Sequence, residues 1–237
     1  MSSVPSTDLS SLPGMFQRLY KRQAALNVTM AGKDWITKAL DDNSTVDYVV
    51  VGIENLWTYL NYIGYKWWKP QTKMTKHELR FILIDVLHAL LSESLVRDFK
   101  LKGGGCGADE PHRLTALPDT VPRKMAVVAE LASLLLQQPR LLMGPDLALE
   151  RWLVLWFSHG LTAAEIEATF ITKTALTKFR QKHGYALGSY KVMWAFPNTD
   201  ENLLMDWLDS WSVLPSDKKI DTWLTETYFD CLKKAYL

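Results

Sequence analysis

Apolar residues recur with helical spacing along almost the whole chain. Phe16, Leu19, Gln23, Leu26 and Asn27 fall at i, i+3/i+4 positions between Met15 and Met30, which predicts one helix ended by Gly32. A second helix is expected after the capping residues Asn43-Ser44-Thr45, with Val50, Ile53, Trp57 and Leu60 on its apolar face until Gly64. Pro70 cannot continue that helix, because it lacks an N–H and clashes with the preceding turn. Thr75 with Glu78 three residues on forms a capping box that opens a third helix reaching about Phe99.

Gly103, Gly104, Gly105 and Gly107, followed by Pro111, Pro118 and Pro122, predict a flexible loop over roughly 101–122. Helices resume at about Pro122–Gln138 and Asp146–His159, separated by Gly144-Pro145. Thr162–Lys182 reads as one more long helix, ended by Gly184. The tail holds a short extended segment near Tyr190–Trp194 and two or more amphipathic helices after Asp200. The pattern is that of an all-α protein, a multi-helix bundle without internal repeats.

Composition narrows the picture only a little. At 237 residues the chain is long enough to bury a substantial core, and with 48% hydrophobic and 22% charged residues it has an ordinary globular profile. The net charge of +1 gives no global field to draw nucleic acid or an anionic membrane. Ten tryptophans imply a core or a pocket built with large aromatics. No apolar run is long enough to cross a bilayer; the stretch Phe81–Leu91 is broken by Asp85 and His88. Cys106 and Cys231 make no CxxC pair, so a reducing intracellular compartment is expected, cytoplasmic or organellar, mitochondria included.

Three stretches carry chemistry in a specific order. The first is Gln23-x-x-Leu26-Asn27, then Gly32 and Trp35. The second is Tyr65-Lys66-Trp67-Trp68-Lys69, followed sixteen residues after Lys69 by Asp85-Val86-Leu87-His88. The third runs from Gly160-Leu161 through Lys173, Leu176 and Phe179-Arg180-Gln181 to Gly184-Tyr185, Gly188, Tyr190-Lys191, Trp194 and Asp200-Glu201-Asn202. Together, over about residues 12–210, they resemble the dimeric dUTPases, all-α nucleotide pyrophosphohydrolases. The resemblance implies a helical core with a rigid and a mobile part, a homodimer, magnesium, and cleavage of dUTP to dUMP and pyrophosphate. It implies a dUTPase-like domain over 1–210, with 211–237 as a C-terminal helical extension.

Hydrolysis of a phosphoanhydride needs divalent metals to neutralise the triphosphate and a group to activate water. The family supplies carboxylates at i and i+3 on two helices, an ExxE before the tryptophan loop and an ExxD after it. Counted from Lys66, the first pair falls on Asn55 and Thr58 and the second on Ile82 and Asp85, so Asp85 alone is an acid. Glu54 has Val50, Val51, Trp57 and Thr58 as its helical neighbours, and Asp85 has Phe81, Ile82, His88 and Ala89. Glu78 and Glu93 lie two turns from Asp85, roughly 10–12 Å along the helix. The acidic pairs Asp146/Glu150, Asp206/Asp209 and Glu226/Asp230 read as solvated helix faces.

By resemblance, Gln23, Asn27, Trp68 and His88 match positions around the uracil and sugar. Lys66, Lys173, Arg180, Tyr185 and Lys191 match or adjoin positions on the phosphate side. Thr174, Thr177 and Ala89 depart from the family's asparagines and phenylalanine. Plainer readings stand beside these. Trp67 and Trp68 serve equally as core or interface aromatics, Asp85 and His88 as a satisfied polar spot, and Lys173, Lys178, Arg180 and Lys182 as a solvated basic face.

The expectation is a catalytically impaired dUTPase-like protein acting as a binding or structural subunit, a homodimer or part of a larger assembly. A pocket for dUTP or dUMP remains, and no cofactor is certain. The alternative is an active magnesium-dependent dUTP diphosphatase. Trp211, Trp223, Tyr228, Phe229 and Tyr236 in the tail either form a docking surface or pack on the body of the protein.

Overall fold

The computed structural model describes residues 11–41, 47–64, 74–101, 124–137, 145–195 and 198–235. The segment 101–122, apart from its first residue, lies outside these, as do Lys66, Trp67, Trp68 and Tyr236. The described chain is helical nearly throughout: α1 (Leu12–Ala31), α2 (Trp35–Ala39), α3 (Tyr48–Tyr62), α4 (Lys76–Leu101), α5 (Lys124–Gln137), α6 (Pro145–Ser158), α7 (Ala163–Lys182), α8 (Asp200–Asp209) and α9 (Asp217–Ala235). The extended segment becomes a small antiparallel pair, β1 (Met193–Ala195) and β2 (Asn198–Thr199).

The chain divides into two compact units, residues 1–74 with 82–167, and residues 75–81 with 168–237. In the first unit α1 buries Phe16, Leu19, Gln23, Leu26 and Asn27, the stripe its spacing predicts. From Leu83 to Val96, α4 buries residues on every side of the helix, as expected of a helix with apolar neighbours all round. Six consecutive residues of α6, Trp152–Phe157, are buried. Their indoles are satisfied: Trp152 Nε1 donates to the Leu83 carbonyl at 2.6 Å and Trp156 Nε1 to the Thr162 carbonyl at 2.9 Å.

The apolar face of α3 differs from the expected one. Gly52, Leu56 and Tyr59 are buried, whereas Val50 is 59% and Trp57 52% exposed. The reason is close packing at Gly52, where an added Cβ would meet Ala89 Cβ of α4 at 3.2 Å and Leu135 Cδ1 of α5 at 3.0 Å. Approach of three helices at a residue without a side chain selects the Gly52 face over the bulkier one. The N-cap of α3 is Asp47, whose carboxylate accepts from the Val50 N–H at 3.0 Å; Asn43–Thr45 fall outside the described residues.

In the second unit α7, α8 and α9 enclose Ile171, Leu176, Phe179, Tyr190, Trp194, Leu204, Ile220, Leu224 and Tyr228. The tail aromatics divide. Tyr228 stacks on Tyr190 with centroids 5.2 Å apart and Trp223 on Trp207 at 5.1 Å, while Trp211 and Phe229 remain 39% and 43% exposed. Gly184 and Gly188 flank the 3₁₀ turn Tyr185–Leu187 at φ +87° and +69°, conformations that favour glycine.

Candidate functional site

The site positions of α3 and α4 are set by the register of these two helices. Tyr48 feels the charge of Glu93, Glu93 feels that of Asp47, and Gly52 lies against Ala89. Those pairings run in opposite directions along the two helices, so α3 and α4 are antiparallel. The four positions of the ExxE/ExxD pattern are Asn55 and Thr58 on α3 and Ile82 and Asp85 on α4.

Their chemistry is not that of a metal cage. Asn55 Nδ2 donates to the Val51 carbonyl at 2.9 Å and Thr58 Oγ1 to the Glu54 carbonyl at 3.1 Å, so both side chains bond to their own helix. Ile82 is half-buried and has no donor atom. Asp85 is the one carboxylate of the four. Among the described residues no three His, Cys, Asp or Glu side chains converge in a group suited to a metal ion. Magnesium at a triphosphate takes hard oxygen ligands, chiefly carboxylates, and these four residues do not fit such a cluster.

One face of α1 meets α4 in a buried polar network. Gln23 Nε2 donates to Asn27 Oδ1 at 2.8 Å and to Ser92 Oγ at 2.9 Å, and Asn27 Nδ2 donates to Ser92 Oγ at 3.0 Å. Ser92 Oγ donates to the His88 carbonyl at 2.8 Å. Gln23 Oε1 accepts from His88 Nδ1 through a short bond. An amide oxygen only accepts, so Nδ1 carries the proton and the Nε2 tautomer is excluded for a neutral ring. Gln23, Asn27 and His88 are therefore brought together, and His88 is tied to Gln23. Ser92, which joins them, escaped the sequence reading. Its signal was there: it sits one turn after His88 on the same face.

The second unit holds the other group. Arg180 grips Asp200 with Nε at 2.8 Å from Oδ2 and Nη2 at 2.7 Å from Oδ1, and Nη2 reaches Glu201 Oε1 at 3.0 Å. Lys173 Nζ donates to the same Glu201 oxygen at 2.9 Å and lies 4.7 Å from the Phe81 ring centroid. The Tyr190 hydroxyl donates to Asp200 Oδ2 at 2.8 Å. Burial raises Glu201, but the charges of Lys173 and Arg180 outweigh it and hold the carboxyl below its ordinary range. Burial opposes the Arg180 charge, and its bonds to Asp200 more than restore it.

Lys173 and Arg180 are thus neither a solvated basic face nor bare cations, since each already faces an acid. Lys178 and Lys182 are exposed. Tyr185 is half-exposed with Arg180 Cζ 5.6 Å from its ring centroid, and Lys191 is exposed. The role of Asp200 and Glu201 as partners was not foreseen, although both residues stand in the third stretch of the resemblance.

The described chain is thus all-α, with an amide–histidine cluster between α1 and α4. The family model described as dUTPase matches residues 15–185, and the chain belongs to the dUTPase family. No curated protein matches the sequence.

Proposed function

We propose that this dUTPase-family protein has lost magnesium-dependent hydrolysis and acts as a binding or structural subunit, as a homodimer or within a larger assembly. The reading is carried by one observation: of the four positions of the ExxE/ExxD pattern, Asn55, Thr58, Ile82 and Asp85, Asp85 alone is an acid. A single carboxylate cannot both hold metal against a tetra-anionic substrate and position water. What remains is a polar cluster suited to the edge of a base, Gln23, Asn27 and His88, and a site whose cations are already matched by Asp200 and Glu201. Any phosphate bound at Lys173 and Arg180 must compete with those two acids.

A deoxyuridine nucleotide is the ligand proposed for the amide cluster. Isothermal titration with dUMP and dUTP, in EDTA and in magnesium, tests this. The expected result is binding that is indifferent to magnesium and weakened in Gln23→Ala. Affinity for dUTP that requires magnesium would contradict it. The second reading, an active dUTP diphosphatase, draws on the retention of Asp85 together with Gln23, Asn27 and His88.

A further inference from the structure

One hydroxyl decides how the amide cluster between α1 and α4 is oriented. Ser92 is fully buried, and Gln23 and Asn27 beside it are buried as well. A hydroxyl has a single proton to give. The His88 carbonyl, one turn back on α4, lies 2.8 Å from Ser92 Oγ, against 3.3 Å for Asn27 Oδ1. Asn27 Oδ1 also accepts from Gln23 Nε2 at 2.8 Å. The Ser92 proton therefore goes to the carbonyl.

With its proton spent, Ser92 Oγ can only accept. It takes an N–H from Gln23 Nε2 at 2.9 Å and one from Asn27 Nδ2 at 3.0 Å. An amide turned over would set its oxygen against the Ser92 oxygen, in a site that is closed to bulk water. Holding the Gln23 amide nitrogen on Ser92 points Oε1 the other way, where it accepts from His88 Nδ1. The ring proton of neutral His88 is thereby fixed on Nδ1 by a hydroxyl that does not touch the ring. Nε2 is left as a lone pair, and any group that meets it must be a donor.

We propose that Ser92 is the positioning residue of this cluster: it fixes the orientations of Gln23 and Asn27 and, through Gln23, the tautomer of His88. The consequence for recognition rests on the deoxyuridine reading of the cluster; the tautomer does not. A ring nitrogen that only accepts suits a base whose own ring carries an N–H, as uracil does at N3. Cytosine has a bare lone pair at the same position and would meet His88 lone pair to lone pair.

Two readouts on the full-length protein test this. Long-range ¹⁵N–¹H spectra of labelled histidine rings, in alkaline buffer where a histidine is neutral, report the His88 tautomer without any ligand. Wild type should show Nδ1–H alone, Ser92→Ala a mixture of both tautomers, and Ser92→Thr, which keeps the hydroxyl, the wild-type ring. Calorimetric titration with dUMP and dCMP should show dUMP preferred by about tenfold or more, a preference reduced in Ser92→Ala and kept in Ser92→Thr. Circular dichroism reads whether each variant folds, and Ser92→Cys, a weaker acceptor of similar shape, replaces threonine if its methyl is not accommodated. An Nε2–H ring in wild type, or an Nδ1–H ring unchanged in Ser92→Ala, would overturn the positioning role. An unchanged preference for dUMP in Ser92→Ala would overturn its part in selection. A wild type that binds neither nucleotide, while the tautomer responds to Ser92→Ala, would support the positioning role and contradict the deoxyuridine reading.

Discussion

Replacing Asp200 by alanine removes the acceptor of four hydrogen bonds from three groups. Arg180 donates to it twice, the Tyr190 hydroxyl once at 2.8 Å, and the Glu201 N–H once at 2.8 Å. The Asp200 side chain is 0% and that of Arg180 13% exposed, so solvent cannot take over either partner. Breaking a buried pair by deleting one member costs about 3–5 kcal/mol, because the surviving charge stays buried. Glu201 at 3.0 Å from Arg180 Nη2 offsets part of this, while the orphaned Tyr190 hydroxyl adds about 1–3 kcal/mol, not additively. The net expectation is a loss of about 3–5 kcal/mol in the second unit. Amide hydrogen exchange along α8 and α9, read by mass spectrometry, measures it where it acts. Asp200→Asn keeps the shape and two acceptor lone pairs and should lose about half as much. A loss under about 1 kcal/mol in Asp200→Ala, with exchange unchanged, would refute the claim that this pair organises the unit.

Other perturbations follow from the same geometry. Glu93 is pushed up to about 7 by burial, then by Asp47, with Lys100 opposing. A raised acid stabilises fully below its unfolded pKa near 4.5, and that contribution is lost as pH rises through 7. Glu93→Gln should therefore gain on the order of 2 kcal/mol at pH 8 and almost nothing at pH 4, by urea titration at the two pH values. Gly52→Val drives a branched side chain against Ala89 and Leu135 and should lose about 1–3 kcal/mol, seen as a lower urea midpoint at unchanged slope. Asn55→Glu, Thr58→Glu and Ile82→Glu together should make the melting temperature rise with added magnesium, which wild type should not show. A triple variant indifferent to magnesium would mean that the four positions do not share a metal-sized site.

Much of the fold was legible because its signals are local. The Thr75–Glu78 capping box forms as spaced, with Thr75 N–H donating to Glu78 Oε2 at 2.6 Å and Glu78 N–H to Thr75 Oγ1 at 3.1 Å. The α1 stripe is buried as its spacing predicts, because one broad face meets the core. The α3 face was misread because its burial is decided by close approach at Gly52, and a residue without a side chain has no hydrophobic signal. Motif order placed Gln23, Asn27, Asp85 and His88 on two helices, but which donor meets which acceptor depends on tertiary contact. Ser92 and the pairing of Arg180 with Asp200 are of that kind, the latter joining residues 20 apart in the chain.

Under the proposed function, the family frame is kept while its metal-dependent chemistry is lost. Pyrophosphate release from dUTP in excess magnesium, run beside Asp85→Ala, tests it most directly. The account predicts no release above background from either protein, with both folded and helical by circular dichroism. Turnover in wild type that disappears in Asp85→Ala would contradict it and show that Asp85 still serves an active metal centre.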